Sequence, residues 1–218
     1  LVLASLKDIT GPLLDPLQFA YRASRSMDDA VNMGLHYILQ HLDRPGNYAT
    51  ILFGDFNSAF NTIMPDLLSD KLTQLSMPTT ICQWIASFLT DRQQLLRLNS
   101  HPGLSPSVLM PPQGCQGALS PLLFSLYTNE CTAKDQFVKL LKFADDTTTI
   151  GLIHNGDKSA YRPEVKDLAV WCSHNNLELN MLQTVEMIVD FRRNPPAISP
   201  LSIMNRTELL KQFYSTII

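Results

Sequence analysis

Lys139-Leu-Leu-Lys-Phe-Ala-Asp-Asp-Thr-Thr-Thr-Ile-Gly-Leu-Ile153 sets two short apolar runs on either side of adjacent aspartates, Asp145 and Asp146. Val138 to Ala144 reads as a strand, and Thr147 to Ile153, rich in β-branched residues, reads as its partner. Asp-Asp then occupies the tight turn of a hairpin, a place that Asp favours. Neighbouring strand residues face opposite ways, but a turn breaks that alternation, so both carboxylates can approach one point. Crowded carboxylates repel each other. A divalent cation offsets the repulsion, and Mg²⁺ takes carboxylate oxygens together with substrate phosphates. For the dipeptide alone, a solvated turn without chemistry is the competing reading.

A third carboxylate bears on that choice. Tyr48-Ala-Thr-Ile-Leu-Phe-Gly-Asp-Phe-Asn-Ser-Ala-Phe-Asn-Thr-Ile63 is a buried-strand pattern with one acid, Asp55, at its end and a helical start at Ser58. A strand ending in Asp, together with a strand-Asp-Asp-strand hairpin, is one way to assemble a two-metal phosphoryl-transfer site. Between them, Pro111-Pro-Gln-Gly-Cys-Gln-Gly-Ala-Leu-Ser-Pro-Leu-Leu-Phe124 reads as a Gly-rich turn running into a helix. Backbone there can approach a nucleotide closely.

In this order the three stretches resemble the reverse transcriptase of non-long-terminal-repeat retrotransposons, the long interspersed element type. Asp55-Phe-Asn-Ser-Ala-Phe60 is similar to the first catalytic motif, Pro112-Gln-Gly114 with Leu119-Ser-Pro-Leu-Leu123 to the second, and Phe143-Ala-Asp-Asp146 to the third. The likeness runs from Gln18-Phe-Ala-Tyr-Arg22 through Val189-Asp-Phe-Arg-Arg193. It implies an α+β fold, a polymerase palm whose antiparallel sheet carries helices on one face. It further implies partial fingers at 1–47, a palm with interleaved fingers helices at 48–193, a linker at 194–206 and a thumb-helix remnant at 207–218.

The same resemblance implies roles. Asp55, Asp145 and Asp146 would be the catalytic metal ligands, for Mg²⁺ with Mn²⁺ as a substitute. Phe60 would be a steric gate against the ribose 2′-hydroxyl; read without the resemblance, it is a core aromatic after a strand. Gln113 and Gly114 would contact the incoming nucleotide. Arg22 and Arg25 would touch template or primer backbone, where basic side chains position without specifying sequence; otherwise they belong to a solvated turn. The implied partners are an RNA template, a DNA primer and a deoxynucleoside triphosphate, and the implied activity is RNA-directed DNA synthesis.

Departures from the pattern set expectations of their own. Gly54 stands where a bulky aliphatic is usual, which should loosen the strand. Gln116-Gly-Ala118 holds three residues where one is usual. Gln183 replaces a lysine and cannot be a cationic proton donor. After Asn205 the primer-grip segment is missing, and Thr207 to Ile218 reads as an apolar helix. The chain begins at Leu1, as a piece of something longer would. Poor primer extension is the expectation. A non-catalytic retroelement remnant that only folds or binds nucleic acid weakly is the second reading, and a nucleotidyl cyclase sharing the metal acids the third.

Composition narrows the class. Of 218 residues 45% are apolar, so a packed core is expected. A net charge of -3 and a pI of 5.9 are not those of a dedicated nucleic-acid binder, although a basic groove can coexist with clustered acids. Cys82, Cys115, Cys131 and Cys172 are too scattered for a zinc site or a disulfide framework and read as buried thiols. The histidines show no ligand spacing. With no membrane-length apolar run and no signal peptide, the chain is expected inside the cell, in nucleus or cytoplasm. Among the helices, Ser26 to Leu42 is the clearest: Ser26 and Asp29 form a capping box. Met27, Ala30, Val31, Leu35, Ile38, Leu39 and Leu42 recur at helical spacing, as core packing. Pro65 sits at a first helical position, and Ser120 and Pro121 at N-cap and N1.

Overall fold

A strand that is apolar on both sides in sequence should be covered on both sides in space, and Asn47–Gly54 (β1) is the middle of a sheet. The computed structural model describes residues 2–89, 94–95, 108–109, 119–192, 201 and 212–215. The sheet also contains Val138–Phe143 (β4), Asp146–His154 (β5), Val185–Val189 (β6) and Gln212–Ser215 (β7), in the order β4-β5-β1-β6-β7. The first four strands pair antiparallel, and β7 joins β6 in parallel. Gln94–Leu95 (β2) and Val108–Leu109 (β3) form a separate antiparallel pair.

Side chains alternate across β1. Tyr48 and Leu52 share a core with Ile188 and with Tyr161 and Val165 of Tyr161–His174 (α6). Ala49 and Ile51 share another with Ala30 and Ile38 of Met27–Leu42 (α2). Helices therefore cover both faces of the sheet, where the resemblance implied one. Pro65–Gln74 (α3), Thr79–Leu89 (α4) and Ser120–Tyr127 (α5) build the largest core beside α6, reached by Leu6 of Val2–Thr10 (α1). Tyr161 lies so close on the sheet that a Cβ at Gly151 would stand 2.5 Å from its ring.

The capping box of α2 is formed: Ser26 Oγ accepts from Asp29 N–H at 3.2 Å, and Asp29 Oδ2 accepts from Ser26 N–H at 2.7 Å. Its apolar stripe, however, is not all core. Ala30, Gly34 and Ile38 are buried, while Val31 is 52% and Leu35 48% exposed. Small residues let the helix lie close on the sheet; a Cβ at Gly34 would already meet Ile150 at 3.4 Å. The larger neighbours are left at the margin.

Three local expectations change. Leu119, not Ser120, caps α5, and no side-chain cap bond forms. Gln212–Ser215, expected as helix, is strand; a short apolar run has no period to distinguish the two, and Phe213 and Tyr214 favour a sheet edge. Leu201, expected in a linker, is buried with Tyr48 and Ile188. Gln113, Gly114 and the Gln116-Ala118 stretch lie outside the described residues.

Candidate metal and nucleotide site

The acids meet through strand register. Gly54 pairs with Thr147, so Asp55 leaves β1 opposite Asp146, the first residue of β5. Cross-strand partners face the same way, and Asp55 and Asp146 line one cavity of about 550 Å³ between α2 and the sheet. Phe143 pairs with Asp146, leaving Ala144 and Asp145 as the two-residue hairpin turn. Ala144 holds a left-handed φ of 57°. A positive φ at the first central position is what such a turn demands, and glycine usually supplies it. The strained residue sits immediately before Asp145.

The Asp146 carboxyl is held above the ordinary carboxylate range, by partial burial first and then by the charges of Asp145 and Asp55. Asp146 thus feels both other acids at one end of the sheet. Hard oxygen donors of like charge suit a hard dication. Among the described residues no group of three or more His, Cys, Asp and Glu is drawn into metal-holding geometry, so binding would require the carboxylates to close on the ion.

Asn180, a residue that sequence reasoning did not single out, supports Asp55. Its carbonyl accepts from Asn180 N–H at 2.8 Å, and Asn180 Nδ2 donates to Gln183 Oε1 at 2.7 Å. Gln183 is thereby at the acid end, engaged as an acceptor. Gly54 does not leave the strand loose: Leu179 fills the space, 3.3 Å from where a Cβ would stand. Phe60 is half-buried, edge-on to Phe124 with ring centroids 5.4 Å apart, which fits the core-aromatic reading.

The two arginines are first of all local struts. The Arg22 guanidinium donates to the carbonyls of Asp15 (2.7 Å), Gln18 (3.3 Å) and Gly11 (3.4 Å). Arg25 donates to Pro16 O at 2.6 Å and lies over the Phe19 ring. Both line, with Lys7 and Tyr21, a cavity of about 730 Å³. Tyr21 was also missed; its phenol is raised by burial and then by the charge of Asp145. Its φ of 60° is a further strained position. Cys82, Cys131 and Cys172 are free and buried, as expected, and burial pushes the Cys131 thiol up to about 11. No helix among the described residues is long and apolar enough to cross a membrane.

The profile of one family, described as reverse transcriptase (RNA-dependent DNA polymerase), matches residues 1–195. Apo telomerase from Candida tropicalis, truncated from its C-terminal domain, superposes with a TM-score of 0.64 at 13% identity, over 88% of this chain and 41% of that one. Telomerase from the same organism in complex with a TWJ fragment of telomeric RNA gives 0.62 at 13%, over 86% and 32%. The Candida albicans enzyme in complex with the corresponding fragment gives 0.55 at 14%, over 90% and 34%. The chain thus spans less than half of each telomerase, and the likeness is one of fold. No curated protein matches the sequence.

Proposed function

Because the chain belongs to the reverse transcriptase (RNA-dependent DNA polymerase) family, we propose that its acid end is the site of nucleotidyl transfer from a deoxynucleoside triphosphate to a primer 3′-hydroxyl on an RNA template. The observation that carries this reading is the convergence of Asp55, Asp145 and Asp146 at one end of the sheet, where Asp146 feels both other charges. Asp55, Asp145 and Asp146 would hold Mg²⁺, or Mn²⁺ in its place. Bound there, the ions would lower the pKa of the primer hydroxyl and stabilise the leaving pyrophosphate. The protein's own work is placement. β1 and β5 set two carboxylates opposite each other, the Ala144 turn presents the third, and Asn180 holds the Asp55 backbone. Lys7, Arg22 and Arg25 would offer charge to phosphates, and Phe60, Gln113 and Gly114 would meet the nucleotide.

The motif wording favours a non-long-terminal-repeat retrotransposon as the source, with fingers at 1–47, palm at 48–193, linker at 194–206 and the end of the chain as a thumb remnant, now in part a strand. Gln183 favours a second reading, a remnant with little or no catalysis, because an amide bonded to Asn180 is no cationic acid. A positioned general acid is worth ~10²–10⁴-fold in rate. Primer extension on an RNA template with deoxynucleotides and Mg²⁺ separates the readings. Slow product that disappears in Asp145→Asn is expected. Equal product from both chains contradicts the site, and no product from either favours the remnant.

A further inference from the structure

We propose that Lys142, paired with Asp15, is a positioning residue that locks the Gln18–Arg25 segment and the Asp145 turn into one unit; this rests on the metal-site reading above. Lys142 is 2% exposed, on the side of β4 that faces the end of α5, three residues before Asp145. Its ammonium donates to the carbonyls of Cys131 (2.8 Å), Thr128 (2.9 Å) and Asn129 (3.3 Å). Those are all the protons it has. Asp15 Oδ2 stands 2.9 Å away and accepts no hydrogen bond among the described residues, so it meets the cation by charge alone.

Asp15 is itself fixed. Its N–H donates to Asn129 Oδ1 at 2.6 Å, its Oδ1 accepts from Leu17 N–H at 3.0 Å, and Asn129 Nδ2 donates to Leu13 O at 3.0 Å. The Lys142 backbone completes the lock along the outer edge of the sheet. Its N–H donates to Leu17 O, and its carbonyl accepts from Phe19 N–H, both at 2.9 Å. One residue therefore holds the edge segment by its backbone and the inner segment by its side chain. Two residues beyond Phe19 is Tyr21, and then Arg22, which donates back to Asp15 O.

A buried ion pair is costly to desolvate, and replacing both of its members by apolar side chains of similar volume is often close to neutral for stability. What the lysine adds is direction. Its contacts fix the register between the Gln18–Arg25 segment and the acid turn, as partners behind metal ligands fix their orientation.

The test uses the full 218-residue chain and Mn²⁺ as probe, with affinity from paramagnetic resonance titration and amide hydrogen exchange alongside. Asp15→Asn keeps an acceptor for Leu17 but removes the counter-charge. A second chain carries Asp15→Leu with Lys142→Met, which leaves no buried charge of this pair behind. Expected are about tenfold weaker Mn²⁺ binding in both and faster exchange at Phe19, with Ile51 and Leu52 in β1 unchanged. If Asp15→Asn fails to fold, the doubly substituted chain decides. A folded variant that binds Mn²⁺ as tightly as wild type overturns this inference alone. A wild type that binds no Mn²⁺ overturns the metal-site reading and this inference with it.

Discussion

On the α5–α6 side of the molecule, buried Lys142 stands 2.9 Å from Asp15, Lys71 is bonded to Glu130, and Lys158 lies 4.0 Å from fully buried Glu186. At the end of the sheet Asp55, Asp145 and Asp146 are gathered with like sign, and among the described residues none of them is in an ion pair. The first region answers each buried charge, which is what a fold requires. The second leaves repulsion standing beside a left-handed Ala144. A left-handed turn residue and the raised Asp146 carboxyl stand together there, and on that combination the proposed metal site rests.

The contrast can be broken at its strongest point first. Lys142→Met leaves Asp15 buried and unanswered, and is expected to cost about 3–5 kcal/mol in urea unfolding. Adding Asp15→Leu should recover most of it; no recovery would mean that the pair is not the source of the loss. Next in size is Gly151→Ala, which drives a methyl into the Tyr161 ring and should cost about 1–3 kcal/mol. A neutral result would show that the helix face is looser than the structure has it.

The acid end should respond with the opposite sign. Its Asp146 carboxyl is more easily protonated in the folded than in the unfolded chain, so its contribution is full at low pH and is lost as pH rises through its raised titration range. Without metal, Asp146→Asn should therefore gain up to about 1 kcal/mol at neutral pH, screening by solvent keeping the figure small. It should also flatten that stretch of the stability-pH curve. A loss at neutral pH would make Asp146 a structural partner. Smallest is Ala144→Gly: relief of a left-handed alanine against the looser unfolded chain leaves a gain of about 0.5 kcal/mol. Melting curves would detect its sign.

The acid end was legible because its information is local. A strand pattern that ends in Asp, and two strand patterns around Asp-Asp, need no distant partner to be read, and the register of β1 with β5 follows from the apolar alternation. What stayed hidden depends on residues far apart in the chain. Lys142 reads as one more polar residue in a strand until Asp15 and the end of α5 are beside it. Asn180 reads as a turn residue until its N–H finds Asp55. On α2 the spacing of the apolar residues was plain, but which of them go inward was decided by Gly34 and Ala30, whose small size carries little signal in a hydrophobic pattern. Gln212–Ser215 took strand form because β6 offered an edge.

Most direct is the melting temperature of the chain against Mg²⁺, in wild type and in Asp145→Asn. An ion held by the folded acids alone stabilises by about 2.7 kcal/mol at a hundred times its dissociation constant. A rise in wild type that is absent from a fully folded Asp145→Asn is the expected result. An equal rise in both chains, or none in wild type, would contradict a shared metal site at Asp55, Asp145 and Asp146.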